Sequence, residues 1–258
     1  MPPPPPADPL FPTDPLFDVS GLSVLVAGGA GGLGAVLARA FAERGARVLA
    51  ADLARAVAAA EAAGTPAVAL DVTDEASCAA AMDEAVRRHG RLDVLINASG
   101  VYRTGPALEF ARADWDAEIA VNLTGAFLLA RAAGRVLTEQ GSGAVITLAS
   151  VSSAVANPAY AAYAASKAGV AHLTRVLAQE WAPRGVRVNA IGPAMTETAM
   201  TRGVFDDPGH RTRALARIPM GRFGRPEDLV GAAVFLASPA GAFVTGQTLF
   251  VDGGRTVS

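Results

Sequence analysis

Val24-Leu25-Val26-Ala27-Gly28-Gly29-Ala30-Gly31-Gly32-Leu33-Gly34 runs from a short apolar stretch through a glycine-rich turn into the alanine-rich segment Leu33–Arg44. β-Branched and apolar residues in a short run predict a buried strand, and the segment after the turn has helical composition. Glycines between them permit a tight reversal and close backbone approach. They also leave the helix N-terminus facing outward, where its free N–H groups suit a pyrophosphate. Gly28, Gly32, Leu33 and Gly34 are therefore the expected phosphate-side contacts of a dinucleotide.

The same alternation continues along the chain. Strands are expected at Val24–Ala27, Val48–Ala51, Val68–Leu70, Val94–Asn97, Val145–Leu148, Val186–Ala190 and Thr248–Val251. Helices are expected at Leu33–Arg44, Glu75–Arg88, Trp115–Leu137, Tyr163–Trp181 and Pro226–Ala237, the last opened by Pro226, Glu227 and Asp228. Short strands that are apolar throughout are covered on both faces. The expectation is one α/β domain over residues 18–258, a doubly wound, seven-stranded parallel sheet of Rossmann type with helices on both faces. The stretch Met195–Arg225 reads as a long irregular loop and hence a lid over a site. Residues 1–17, opening Met1-Pro2-Pro3-Pro4-Pro5-Pro6, read as a flexible polyproline-like leader without signal-peptide character.

Composition narrows the function. The 258 residues are 51% hydrophobic with a formal charge of -2, and the charges are interspersed. No basic stripe suits nucleic acid, no polybasic patch suits a membrane, and no uninterrupted apolar run has spanning length. Cys78 is the only cysteine, so no internal disulfide forms, which fits a reducing cytoplasm. It reads as a packing residue. His89, His172 and His210 lack metal-ligand spacing, and no catalytic metal is expected.

Asp52 ends the second strand. A carboxylate there accepts hydrogen bonds from both ribose hydroxyls and repels a 2′-phosphate, which favours NAD over NADP. Gly31 brings no charge to that phosphate, and Arg55 reads as a solvated helix residue.

Tyr163 and Lys167 occupy positions i and i+4 of Tyr163-Ala164-Ala165-Ser166-Lys167 and so share a helix face. A nearby ammonium is expected to draw the phenol below its usual pKa of about 10, making a proton-transfer pair. Alone, such a pair occurs on many exposed helices. Its company here is Ser150, at the end of a predicted strand where open α/β sheets bind ligands.

With these motifs in order, the stretch from about Ser20 to Gly254 resembles the short-chain dehydrogenase/reductases, the branch with a T-G-x-x-x-G-x-G turn. Ala27 replaces the usual threonine. The resemblance implies that Asp71, with Val72, contacts adenine and that Asn97 and Ala98 end strand four beside the cofactor. It implies that Asn122 supports a proton relay and completes a catalytic tetrad with Ser150, Tyr163 and Lys167. It also implies that Pro193 and Thr198 line the nicotinamide and pyrophosphate, with Ala194 in place of a glycine. In this reading Tyr163 exchanges the substrate proton, Ser150 holds the substrate oxygen, and Lys167 also binds nicotinamide-ribose hydroxyls.

Arg103, on the loop after strand four, is a candidate for a substrate carboxylate. The expected lid carries Arg202, Arg211, Arg213, Arg217 and Arg222, which could bind the same carboxylate but are read first as solvated or paired with Asp206 and Asp207. Within the family, Leu16-Phe17-Asp18-Val19 and Met220–Leu229 resemble gluconate 5-dehydrogenase and related polyol or sugar-acid dehydrogenases. The expected chemistry is interconversion of a secondary alcohol and a ketone. An NADPH-dependent 3-oxoacyl-carrier-protein reductase is the first alternative, opposed by Asp52 and by Gln179, where that branch often has a basic residue. A non-catalytic dinucleotide sensor is the second, opposed by retention of Tyr163 and Lys167. Helices Trp115–Leu137 and Tyr163–Trp181 are apolar around much of their circumference, and the family pairs them between copies, so a homotetramer is expected. His172 and Trp181 read as packing or interface residues. Residues Phe243–Gly254 resemble the segment of the second family interface.

Overall fold

A computed structural model describes residues 14–198, 201 and 208–258. Seven strands form one sheet in the order β3-β2-β1-β4-β5-β6-β7. They are β1 Ser23–Ala27, β2 Arg47–Asp52, β3 Ala67–Ala69, β4 Val94–Asn97, β5 Gly143–Leu148, β6 Val186–Pro193 and β7 Thr248–Val251. Every pairing is parallel. The helices are α1 Gly32–Ala42, α2 Ala54–Ala62, α3 Glu75–His89, α4 Arg112–Ile119, α5 Gly125–Gln140, α6 Ala161–Trp181, α7 Pro208–Leu215 and α8 Val230–Ala237.

Side-chain alternation along β1 shows why the strands are apolar throughout. Leu25 and Ala27 enter one core with Leu49, Met82, Leu95, Leu129 and Leu137. Val24 and Val26 enter the other with Leu37, Phe41, Ile96 and Leu236. Both faces of the sheet are thus dry, as a strand feeding helices to either side requires. The strand order reverses between β1 and β4. At that switch point the connections leave in opposite directions and open a crevice at the strands' carboxyl ends.

Three expectations change. The predicted helix Trp115–Leu137 is α4 running into α5 through a π-turn at Ala120–Thr124, which realigns the helix beside the crevice. The run Arg112–Gln140 is long enough to cross a bilayer, and an 18-residue window within it has a mean hydropathy of 1.2. It is a core helix here: Leu129, Ala133 and Leu137 are fully buried against the sheet. Met195–Arg225 is not irregular throughout, because α7 forms within it. Proline at the first helical position starts α7, while its polar composition hides the apolar period that would have announced it. Finally, Pro226–Leu229 is a 3₁₀ turn leading into α8, capped by Asp228, whose carboxylate accepts the Arg225 N–H at 2.8 Å.

Of the predicted leader, residues 1–13 lie outside the described residues. Pro15–Phe17 forms a 3₁₀ turn capped by Asp14, and the Phe17 ring meets Phe235 at 6.5 Å. Cys78 is fully buried, and burial pushes its thiol up to about 11, so it packs rather than reacts.

Candidate active site

A cavity of about 690 Å³ occupies the crevice. One end is formed by Gly28, Gly32, Leu33, Asp52, Asp71 and Val72, the other by Ser150, Tyr163, Lys167, Pro193 and Thr198. Ala98 lies between them. Sequence-predicted residues from seven separate segments therefore meet on one surface.

The turn geometry explains its glycines. Gly28 has φ +72°, and a Cβ there would stand 2.9 Å from the backbone of Ala98 and Ser99. A Cβ on Gly34 would come to 2.1 Å from the Gly28 carbonyl oxygen. Gly34 does not line the cavity; it lets α1 close onto the turn. No side chain caps α1 at Gly31, so its first N–H groups remain available at the cavity wall. Asp52 is fixed by two backbone donors, Ala30 N–H at 3.1 Å and Leu53 N–H at 2.8 Å. Asp71 accepts the Thr73 N–H at 2.9 Å and its hydroxyl at 2.7 Å, bonds that hold its carboxyl below the usual range. An uncapped helix start, a fixed carboxylate and a long apolar-walled trough fit a dinucleotide.

At the other end, β5 delivers Ser150, whose Oγ accepts the Ser152 N–H at 3.1 Å. From α6, Lys167 is 5% exposed, and its Nζ donates to the Leu148 carbonyl at 2.8 Å. Among the described residues the ammonium has no second acceptor. Nζ stands 5.7 Å from the centroid of the Tyr163 ring.

The charge balance differs from the sequence expectation. Burial dominates and pushes the Tyr163 phenol up to about 12, with the Ser150 hydroxyl pulling the other way. Burial also brings Lys167 down to about 8, opposed by Glu118. Desolvation is thus the largest cause of both shifts.

Asn122 and Asn97 do not line the cavity. Asn122, buried in the π-turn, accepts the Val101 N–H at 2.8 Å and donates to the Val101 carbonyl at 2.9 Å and Ser166 Oγ at 3.3 Å. It locks the β4–α4 loop to α6. Asn97 accepts the Ser99 N–H at 3.1 Å and shapes the start of that loop. Arg103 is also outside the cavity wall: its guanidinium pairs with Asp114 at 3.2 Å, because the loop turns its side chain toward α4.

Sequence reading missed several residues. All three tyrosines of the chain form one edge-to-face cluster. Tyr102 lies 5.1 Å from Tyr163 and 5.3 Å from Tyr160, and Tyr160 lies 6.3 Å from Tyr163. Rigid aromatic walls thus flank the Tyr163 phenol. Ala159, at φ +69°, bends the chain into Tyr160, and its carbonyl accepts the Gly105 N–H at 3.0 Å. Glu118 is wholly buried behind the loop; its Oε1 accepts the Arg103 N–H at 2.8 Å, while its Oε2 has no partner among the described residues. Tyr102, two places beyond Gly100, and Tyr160, three before Tyr163, were visible as motif neighbours. Glu118 carried no such signal.

Among the described residues no cluster of three or more His, Cys, Asp or Glu could hold a metal ion. The helix start, the fixed Asp52 and the Ser150–Tyr163–Lys167 group define a nucleotide-dependent oxidoreductase of one class, and the chain belongs to the short-chain dehydrogenase/reductase family. Residues 28–256 match the family model described as Enoyl-(Acyl carrier protein) reductase. Among curated relatives, D-threitol dehydrogenase of Mycolicibacterium smegmatis is 43% identical over 249 residues, covering 93% of this chain and 95% of the relative. Gluconate 5-dehydrogenase of Gluconobacter oxydans is 38% identical over 250 residues, covering 94% and 98%. The solved gluconate 5-dehydrogenase of Burkholderia cenocepacia, in complex with NADP and tartrate, superposes with a TM-score of 0.89 at 38% identity, covering 95% and 98%.

Proposed function

We propose that this protein interconverts a secondary alcohol and a ketone on a polyol or sugar acid, with NAD as its preferred cofactor. The observation that carries the reading is the shared cavity: Ser150, Tyr163 and Lys167 stand at one end, and the uncapped start of α1 with Asp52 at the other. Gly28, Gly32 and Leu33 would cradle the pyrophosphate, Asp52 the adenosine ribose, and Asp71 and Val72 the adenine. Pro193, Thr198 and Ala98 would border the nicotinamide. When bound, the nicotinamide accepts or returns the hydride.

The chain's own residues manage the proton. Ser150 Oγ hydrogen-bonds the substrate oxygen. In oxidation Tyr163 Oη takes the alcohol proton; in reduction the neutral phenol gives it back. Lys167 holds positive charge near the phenolate that forms, and its N–H groups not used on Leu148 are free for ribose hydroxyls. Asn122 holds the loop and α6 in register for this exchange.

The preference for NAD is supported by the fixed Asp52 carboxylate, although the solved relative from Burkholderia cenocepacia carries NADP. A homotetramer is supported by Trp115, Phe127 and Val176, which are 37%, 38% and 41% exposed on the α4–α5 and α6 helices. Phe243, fully exposed near the carboxyl end, supports a second interface. A cytoplasmic location follows from the same reading.

The test is a panel of D-threitol, galactitol and D-gluconate with NAD or NADP, read by absorbance of the reduced nicotinamide. Turnover with NAD supports the reading. Cofactor binding without turnover on any alcohol or ketone returns it to the sensor alternative, and a strong NADPH preference returns it to the carrier-protein reductase.

A further inference from the structure

The substrate end of the cavity has a cationic wall. Arg213 on α7, Arg217 just after it and Arg255 beyond β7 all line the cavity with Tyr160, Tyr163 and Asn157. Arg217 Nη1 and Arg255 Nη2 both donate to the same atom, Asn157 Oδ1, at 3.4 and 3.3 Å. One neutral amide oxygen therefore bridges two cations from separate parts of the chain.

Their counter-charge is missing from the described residues. None of the three joins an ion pair there, whereas Arg222 is held by Asp228 at 2.6 Å and Arg103 by Asp114 at 3.2 Å. Arg211 stacks over Phe223 at 5.8 Å. Asp252, three places before Arg255, is occupied by the Gly254 N–H at 2.9 Å and by the Thr256 N–H and hydroxyl, both at 2.7 Å. Like charges gathered on one wall repel, and an entering anion relieves that repulsion. Guanidinium forks match the oxygens of carboxylate and phosphate, and Asn157 holds two of them toward the same point.

We propose that Arg213, Arg217 and Arg255, set by Asn157, form an anion subsite that binds a carboxylate or phosphate on the substrate, away from the carbon served by Tyr163. The inference rests on the oxidoreductase reading and narrows it: the substrate is an anionic polyol. It also moves the anion-binding role from Arg103 to these three arginines.

The experiment compares D-gluconate, a hexitol monophosphate and galactitol as substrates of the full chain with NAD. Both anions are expected to exceed galactitol in kcat/KM by roughly tenfold or more, and the better of the two identifies the anion source. Arg217→Ala and Arg255→Ala should each lower kcat/KM for the anions roughly 10- to 100-fold, chiefly through KM. Galactitol turnover and the KM for NAD should stay within about twofold. Equal losses for galactitol and the anions overturn the subsite, as does a raised KM for NAD, which would assign the arginines to the cofactor. A second readout needs no turnover: calorimetric titration of tartrate and inorganic phosphate into wild type and the double variant. Saturable binding lost in the variant supports the subsite; no binding to wild type overturns it. Arginine-dependent anion binding without oxidation of any substrate sinks the enzymatic reading alone. Oxidation of galactitol with no preference for anions sinks the subsite alone.

Discussion

Lys167 Nζ donates to the backbone carbonyl of Leu148 across 2.8 Å, pinning the ammonium to the last residue of β5. The same strand end leads into Ser150, so one sheet edge fixes both that hydroxyl and the cation. The phenol on α6 is then positioned relative to a rigid sheet rather than to a loop.

That burial has a pH signature. Lys167 falls from the ordinary 10.5 to about 8 in the folded protein. Between these values the unfolded chain binds the extra proton, so stability rises with pH across the window. Below about pH 8 the cost of burying the charge is fully present. Relative to Lys167→Met, wild type should gain on the order of 1–2 kcal/mol between about pH 7 and about pH 9.5. Denaturant midpoints for both proteins measure this; a pH-independent difference contradicts it.

Glu118 makes a separate prediction. Its Oε1 holds the Arg103 N–H, while burial raises its carboxyl pKa and Oε2 has no partner among the described residues. A raised carboxyl contributes stability below its unfolded value, and loses it as pH rises through the folded value. Glu118→Gln keeps an acceptor for Arg103 and removes the charge. It should match or exceed wild type in Tm above neutral pH. Glu118→Ala should lose about 2–4 kcal/mol through the lost acceptor and the cavity it leaves. Thermal melts at two pH values decide; a Gln variant as unstable as Ala contradicts the account.

Asp52 should set the choice of cofactor. Asp52→Asn removes the charge that repels a 2′-phosphate, so the NAD-to-NADP ratio of kcat/KM should fall roughly 10- to 100-fold. Steady-state kinetics with both cofactors measures it, and an unchanged ratio contradicts it.

The fold was legible because β1 and its glycine turn carry their constraints locally. Apolar residues at Val24 and Leu25 must be buried on opposite faces, and Gly34 must lack a Cβ for α1 to close. The placement of Gly28, Gly32 and Asp52 at one end of the cavity was legible for the same reason. The substrate end was not. Arg217, Arg255 and Asn157 are far apart in sequence and meet through tertiary packing alone, so no spacing announces them. Glu118 looked like an ordinary charged helix residue until the π-turn and loop closed over it. The pKa of Tyr163 also eluded sequence reading. Helical spacing gives the neighbouring charge but not the desolvation that raises the phenol.

All of this depends on the Tyr163 hydroxyl carrying the proton while a hydride moves. Tyr163→Phe keeps the ring and its edge-to-face contacts with Tyr102 and Tyr160 while deleting only that hydroxyl. Turnover of the best substrate should fall by about 10²–10⁴-fold with NAD affinity within about twofold of wild type. A variant that still turns over at the wild-type rate contradicts the account.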